Sequence, residues 1–349
     1  MNQARIKRIQ SQLAYPVLIK KQENLLYLTG RSFMTGYLLV NPSPDKGRGR
    51  GEVVFFGDGL EHPHGLPSDQ LKNIKKYLRP RATLFVEHYI TVQELDSLKK
   101  FLFGVKIKTN PSLVEVLRMV KSTSELKDLT EAHRITASVF EIVKKQLRKK
   151  QWTEFSLAQY IRIWGLELGA DEVSFAPIVA AGSNAAVPHH KPTGKILKPG
   201  ESIILDFGFK VNGYCSDFSR TVFLKHVPKK LETIYLAVQA ARFNAVRRAR
   251  AGMTGGELDQ QARRVLKLAK LEKYFIHSLG HGTGLEVHEA PSVSPNSKDV
   301  LQNGHVFSIE PGVYVPRLGG VRLEDLVYLD GGRAKYFVKV PTALEENVI

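Results

Sequence analysis

Cysteine is almost missing from this chain: its 349 residues carry one, Cys215. A single thiol excludes an internal disulfide and fits a reducing cytoplasm. We read Cys215 as a buried structural thiol, although Asp217 stands two residues on. Long apolar runs are missing too. None approaches the ~20 residues that a membrane helix needs, so no membrane partner is expected. The opening stretch MNQARIKRIQSQLAYPVLI has no apolar segment followed by a small-residue cleavage site, so no secretory signal is expected. Acid is scarce beside base: 34 Asp and Glu against 51 Lys and Arg, a net charge of +17. The basic clusters at Lys144–Lys150, Lys225–Lys230, Arg247–Arg250 and Arg263–Lys273 are dispersed and carry no nucleic-acid motif. Solvated helix faces therefore outweigh a nucleic-acid partner as their explanation.

What is present is an ordinary soluble composition, 43% hydrophobic, with enough length for two cored domains. Residues 1–112 read as a small α/β domain. It has a helix at Arg5–Leu13, strands at 15–19, 37–40, 53–56 and 83–86, and a helix at 91–103. The stretch Leu25–Leu28 leads to a Thr-Gly turn, and residues 41–52 have the composition of a hairpin loop. Residues 113–122 read as a linker and 123–349 as a second domain. There, Ser122 with Glu125 and Thr254 with Glu257 form capping boxes ahead of helices. Further helices are expected from Thr153, with Trp164 and Leu168 in the core, and over 231–248. Strands alternate with them at 178–181, 202–209, 221–224, 306–309 and 327–329. Two helix–helix–strand halves would make a pseudo-symmetric sheet.

Five residues of the second domain read as one dinuclear metal site. They are Asp206 and Asp217 in LDFGFKVNGYCSDFSRT, His281 in HSLGHGTGLEVHE, Glu310 in FSIEPG and Glu324 in VRLEDLV. A lone Asp on a strand is ordinarily a capped or solvated residue. Four carboxylates and one imidazole in apolar or Gly-rich settings form a hard, oxygen-rich donor set suited to Mn, Co or Zn. Without cations, four buried carboxylates would repel one another. Two divalent ions about 3.5–4 Å apart would hold a bridging water and make it hydroxide near neutral pH.

Segments 203–222, 277–291, 307–313 and 319–328, with SNAAVPHHKPT (183–193), resemble the pita-bread metallopeptidases. That family includes proline dipeptidases, Xaa-Pro aminopeptidases, methionine aminopeptidases and creatinases. The similarity is strong over 115–349 and weaker over 1–112, which resembles the creatinase-like amino-terminal domain. It implies an α/β fold of pita-bread type, two divalent ions per chain with Mn2+ expected ahead of Co2+ or Zn2+, and a homodimer. It implies that Asp206, Asp217, His281, Glu310 and Glu324 ligate the metals and that Glu310 also serves as general base. His189 and His288 would donate hydrogen bonds to the scissile carbonyl, and His277 would line the pocket. Arg322, two residues before Glu324 and so on the same face of a strand, orients a ligand or binds a substrate carboxylate. A salt bridge to Asp325 or to a glutamate beside the ligands would explain it equally well. His190 gains no role, and His62, His64, His88, His133, His226 and His305 read as surface or core residues.

Residue chemistry alone reaches only metal-assisted amide hydrolysis. The resemblance of GGVRLEDLV to the proline-peptidase branch narrows it to the Xaa-Pro bond of dipeptides or short peptides. An imide bond to proline has no N–H, so such a pocket must recognise ring shape and the free α-amine. The short segment GDGLEHPHGLPS (57–68) leaves dipeptidase and aminopeptidase open, with a lean towards the former. Other specificities, a metal-independent amidinohydrolase and a non-catalytic peptide- or nucleic-acid-associated binder are the rivals. The intact five-ligand set weighs against the last two.

Overall fold

The computed structural model describes residues 2–31, 36–44, 51–57, 68–110 and 112–349. Positions 45–50 of the expected hairpin loop, and 58–67 with His62 and His64, lie outside the described residues. The chain forms two compact units, Met1–Arg118 and Met119–Ile349.

The first unit runs α1 (Gln3–Gln12), β1 (Val17–Ile19), α2 (Gln22–Thr29), β2 (Tyr37–Val40), β3 (Val53–Phe56), β4 (Ser68–Asp69), β5 (Thr83–Glu87), α3 (Val92–Phe101), β6 (Lys106–Asn110) and α4 (Leu113–Met119). Its strands form one mixed sheet in the order β4-β3-β2-β1-β5-β6. Leu18, Leu39, Val54, Phe56, Leu84 and Leu98 make its core. Two expectations change here. The stretch before the Thr-Gly turn is helical, and Gly30 at φ 72° closes that helix in the left-handed conformation glycine adopts freely. The expected linker 113–122 holds α4, whose Val114 and Leu117 are buried, so apolar spacing makes a packed helix of it.

The second unit begins with α5 (Thr123–Lys149), α6 (Glu154–Glu167), β7 (Glu172–Val173), β8 (Ile178–Ala181), β9 (Ser202–Asp206), β10 (Phe209–Val211), β11 (Tyr214–Cys215) and β12 (Ser219–Phe223). It continues with α7 (Lys229–Arg248), α8 (Gly255–Leu268), β13 (Gly280–Gly282), β14 (Glu289–Val293), β15 (Val306–Ile309), β16 (Gly312–Val315), β17 (Gly319–Arg322), β18 (Asp325–Asp330) and β19 (Arg333–Tyr336). Both expected capping boxes are formed, and Thr153 with Ser156 makes a third. Each cap satisfies helix N–H groups that lack intrahelical partners.

Two helix pairs each cover an antiparallel sheet. α5 and α6 pack on β12-β9-β8 through Phe140, Leu157, Val179, Leu205 and Val222. α7 and α8 pack on β14-β13-β15-β18-β19 through Tyr235, Val238, Leu258, Phe307 and Val327. The sheets are separate ladders rather than one, joined where Glu324 N donates to Ser219 O at 3.0 Å. The expected strand 202–209 stops at Asp206, and Phe209 instead pairs with Val173. Leu168 is exposed and Trp164 only half-buried. The inward face of α6 is Leu157, Ile161 and Gly165, and a Cβ at Gly165 would lie 1.8 Å from the Phe209 ring. That close approach sets the inward face: Trp164 still packs against the edge of the core, as expected, while Leu168 turns outward.

Candidate metal centre and active site

All nine residues singled out in the sequence line one cavity of about 340 Å3. Asp206 ends β9, and Asp217 lies in the turn between β11 and β12. His281 sits mid-β13, His288 and Glu310 flank β14 and β15, and Arg322 and Glu324 lie where β17 gives way to β18. His189 follows the short helical turn Gly182–Ala186, and His277 precedes β13. Phe175, Ile178, Pro188 and Val287 supply apolar wall. The site thus draws on the β12-β9-β8 sheet, the five-stranded sheet and the β16-β17 pair of the second unit.

The local sequence explains these placements. The Ser216 hydroxyl receives Phe209 N at 2.8 Å and lies 2.7 Å from Thr136 Oγ1 on α5. This fixes the turn that presents Asp217. At β13 the backbone passes so close to its neighbour that a Cβ at Gly280 would meet Ser308 O at 2.0 Å. Hence glycine precedes His281. The fully buried Arg220 donates to the carbonyls of Ser219 and Glu324 and to Asp325 Oδ1 at 2.7 Å. Arg242 also pairs with Asp325. Asp325 is therefore engaged by these two arginines, and the salt bridge considered for Arg322 is not formed. Arg322 instead pairs with Asp206 and donates to Ser219 Oγ at 2.8 Å and Tyr314 Oη at 2.9 Å.

Electrostatics separate the carboxylates. Burial raises Asp206, with Arg322 opposing. Burial and then Glu324 lift Asp217 well above the usual carboxylate range, and burial with Glu310 pushes Glu324 to about 8. Burial also disfavours ionised Glu310, but its hydrogen bond to His281 prevails and holds it at about 2. His281 Nε2 lies 3.3 Å from Glu310 Oε1 and 3.6 Å from Asp217 Oδ2. Its Nδ1 faces Gly282 O at 3.1 Å. Burial disfavours a charged His281, but its Nε2 hydrogen bond to Glu310 prevails and raises its pKa. A cation displacing that Nε2 proton would find Nδ1 already held by Gly282 O.

In the site, two buried oxygens, Asp206 Oδ1 and Glu324 Oε1, have no hydrogen-bond partner among the described residues. Ligand atoms of Asp217, His281 and Glu324 all lie within 4.8 Å of one another. Buried carboxylates driven towards protonation, two of them with orphaned oxygens, beside an imidazole nitrogen within reach of Asp217 and Glu310, fit divalent cations.

Four contributors had gone unnoticed in the sequence. Tyr314 links Arg322 to His277, whose Nδ1 donates to Ser278 O at 2.7 Å and whose Nε2 lies 2.9 Å from the tyrosine oxygen. Ser219 Oγ donates to Glu324 Oε2 at 2.8 Å. Glu154, wholly buried, accepts from Ala181 N, Asn184 Nδ2, Thr193 N, Thr193 Oγ1 and His190 Nε2. It ties down both ends of the segment bearing His189, and His190 thereby has a partner. Lys121 Nζ, 2.6 Å from Glu289 Oε1, pins the neighbour of His288. The only available signal was the T-x-x-S cap that places Glu154 at a helix start.

A family model described as metallopeptidase family M24 matches residues 127–330. The chain is 38% identical over 230 residues to a putative Xaa-Pro aminopeptidase of Mycoplasma genitalium, spanning 65% of each chain. It is 31% identical over 338 residues to the Xaa-Pro dipeptidase of Pyrococcus furiosus, 94% of each. Among solved structures, the Xaa-Pro dipeptidase from Bacillus anthracis superposes with a TM-score of 0.91 at 28% identity, covering 98% of this chain and 99% of that one. The architecture is the pita-bread fold of prolidases with its amino-terminal domain. The chain is an enzyme and belongs to metallopeptidase family M24.

Proposed function

We propose that this enzyme hydrolyses the bond between an amino-terminal residue and proline, acting on Xaa-Pro dipeptides ahead of longer peptides. The observation that carries the chemistry is the pair of orphaned oxygens among buried, proton-seeking carboxylates. The substrate class is supported by relatives that are Xaa-Pro dipeptidases over nearly the whole chain.

Asp206, Asp217, His281, Glu310 and Glu324 would hold two divalent ions, Mn2+ ahead of Co2+ or Zn2+. Bound there, such ions supply Lewis-acid polarisation and acidify water towards neutral pH. The chain's own residues do the rest. Glu310, with its carboxyl held ionised beside His281, accepts the proton of the attacking water and later returns it to the proline nitrogen. His288, whose ring stands 4.1 Å from that of His281, and His189 donate to the scissile carbonyl as charge develops on it. Arg322 spends its guanidinium on Asp206, Ser219 and Tyr314, which assigns it to orienting Asp206. His277 and Phe175 shape the wall. Excluding water strengthens each of these interactions. We assign residues 1–112 to the amino-terminal domain and 123–349 to the catalytic domain. A homodimer in the cytoplasm completes the reading.

The test is hydrolysis of Ala-Pro and Ala-Pro-Ala by chelator-stripped protein with and without Mn2+. Metal-dependent cleavage of the dipeptide alone supports the proposal. Cleavage of the tripeptide makes the enzyme an aminopeptidase. Silence on both, with two ions bound, overturns the substrate assignment.

A further inference from the structure

A separate concavity of about 390 Å3 is lined by Arg247, Arg248, Ala249, Arg250 and Arg333. All four arginines are exposed. None makes a side-chain hydrogen bond or ion pair among the described residues. Arg247 and Arg248 close the last turn of α7, where the helix dipole favours cations. That accounts for two of the four. Arg250 and Arg333 come from other segments and are directly opposite in an antiparallel bridge. Like charges in that position destabilise a strand pair. The carboxylates nearby in sequence are engaged elsewhere: Glu257 caps α8, and Asp330 pairs with Lys335. The fold therefore gathers four guanidinium groups in one hollow and, among the described residues, pairs none of them with a carboxylate; Glu257, within electrostatic reach of Arg250, is held by its cap.

We propose that this hollow binds a compact anion carrying two or more phosphate groups. Guanidinium forks match phosphate oxygens two at a time, as lysine cannot. The four converge on a pocket the size of a small molecule rather than along a groove, which favours a compact polyphosphate over a nucleic-acid strand. The site lies apart from the residues lining the metal cavity and does not depend on the peptidase reading.

The test is titration calorimetry of the metal-loaded full chain with inorganic pyrophosphate, and separately with a short oligothymidylate. Wild type and the double variant Arg250→Ser/Arg333→Ser are compared. Pyrophosphate captured by the metal centre survives in the variant, so the difference reports this site. We expect a saturable pyrophosphate site in the wild type that weakens on the order of tenfold or more in the variant and loosens with salt. Peptidase activity should stay unchanged, which also certifies the variant's fold. Equal pyrophosphate binding by both proteins, or none by either, overturns the proposal. So does variant-sensitive binding of oligothymidylate without pyrophosphate, which would make the hollow part of a nucleic-acid surface.

Discussion

Glu154 and Glu324 are both glutamates taken almost wholly out of water, and the protein treats them in opposite ways. Glu154 receives six hydrogen bonds from five donor groups on Ala181, Asn184, His190 and Thr193. Burial works against its charge, yet those donors prevail and its pKa falls below the ordinary value. Glu324 receives one, from Ser219, leaves Oε1 orphaned, and faces Glu310 and Asp206 as fellow acids. Its pKa climbs to about 8. Burial is common to both; the count of donors differs. A carboxylate whose partners come from the chain is part of the scaffold. One whose partners are missing is set up for a cation from outside.

The sharpest way to break that contrast is to remove proposed ligands from the second group. Asp206→Ala or Glu310→Ala should abolish Xaa-Pro hydrolysis, a loss of at least ~10^3-fold. The circular dichroism spectrum should stay native in both, since either change relieves carboxylate repulsion. Asp206→Ala also leaves Arg322 without its ion-pair partner and should lower the melting temperature. Near-normal turnover in either variant would sink the assigned mechanism. Next in size are the two proposed hydrogen-bond donors to the scissile carbonyl. His288→Ala and His189→Ala should each lower kcat by about 10^2 to 10^3 while metal content, read by atomic absorption, stays that of wild type. Loss of metal in the His288 variant would make it a ligand instead.

The sequence carried the cluster because its members sit in recognisable short strings, and the cavity unites all nine of them. Capping boxes and strands such as 37–40 and 53–56 were equally legible, since their signals are local. Glu154 was not, because its five donors come from residues 27 to 39 positions away and no local pattern marks a buried acceptor. The same holds for Lys121, which meets Glu289 from 168 positions away. Leu168 misled because an apolar residue in helical phase was weighed without the glycine whose missing side chain decides which face turns in. Arg322 stayed open because its alternatives differed only in partners supplied by other strands.

A smaller effect should come from the scaffold member of the pair. Glu154→Gln keeps the volume but loses acceptor strength towards Thr193 and His190. It should lower kcat by roughly tenfold through a loosened His189, leaving metal content intact. Glu324→Gln should do the reverse and shed metal. If Glu154→Gln also shed metal, the two carboxylates would belong to one network and the contrast would fail.

The smallest effect is read in the metal-free protein as a pH dependence, and the two carboxylates give opposite signs. Glu154 has a lowered folded pKa, so its contribution is complete above its unfolded value of 4.5 and fades only as pH falls below that. Glu324 rises from 4.5 to about 8, so the folded chain holds its proton more tightly than the unfolded chain does. Stability from that group is present at mild acid and is lost as pH rises through about 8. Asp217, raised by burial and by Glu324, acts in the same direction. The chelated enzyme should therefore melt at falling temperature as pH climbs from about 5 to 8. Adding Mn2+ should flatten that slope, because bound cations replace the protons. Metal-free Glu324→Gln should flatten it as well, and Glu154→Gln should leave it unchanged. A melting temperature that rises with pH over this range in the chelated wild type would show that the cluster's oxygens are satisfied by something other than protons or metal.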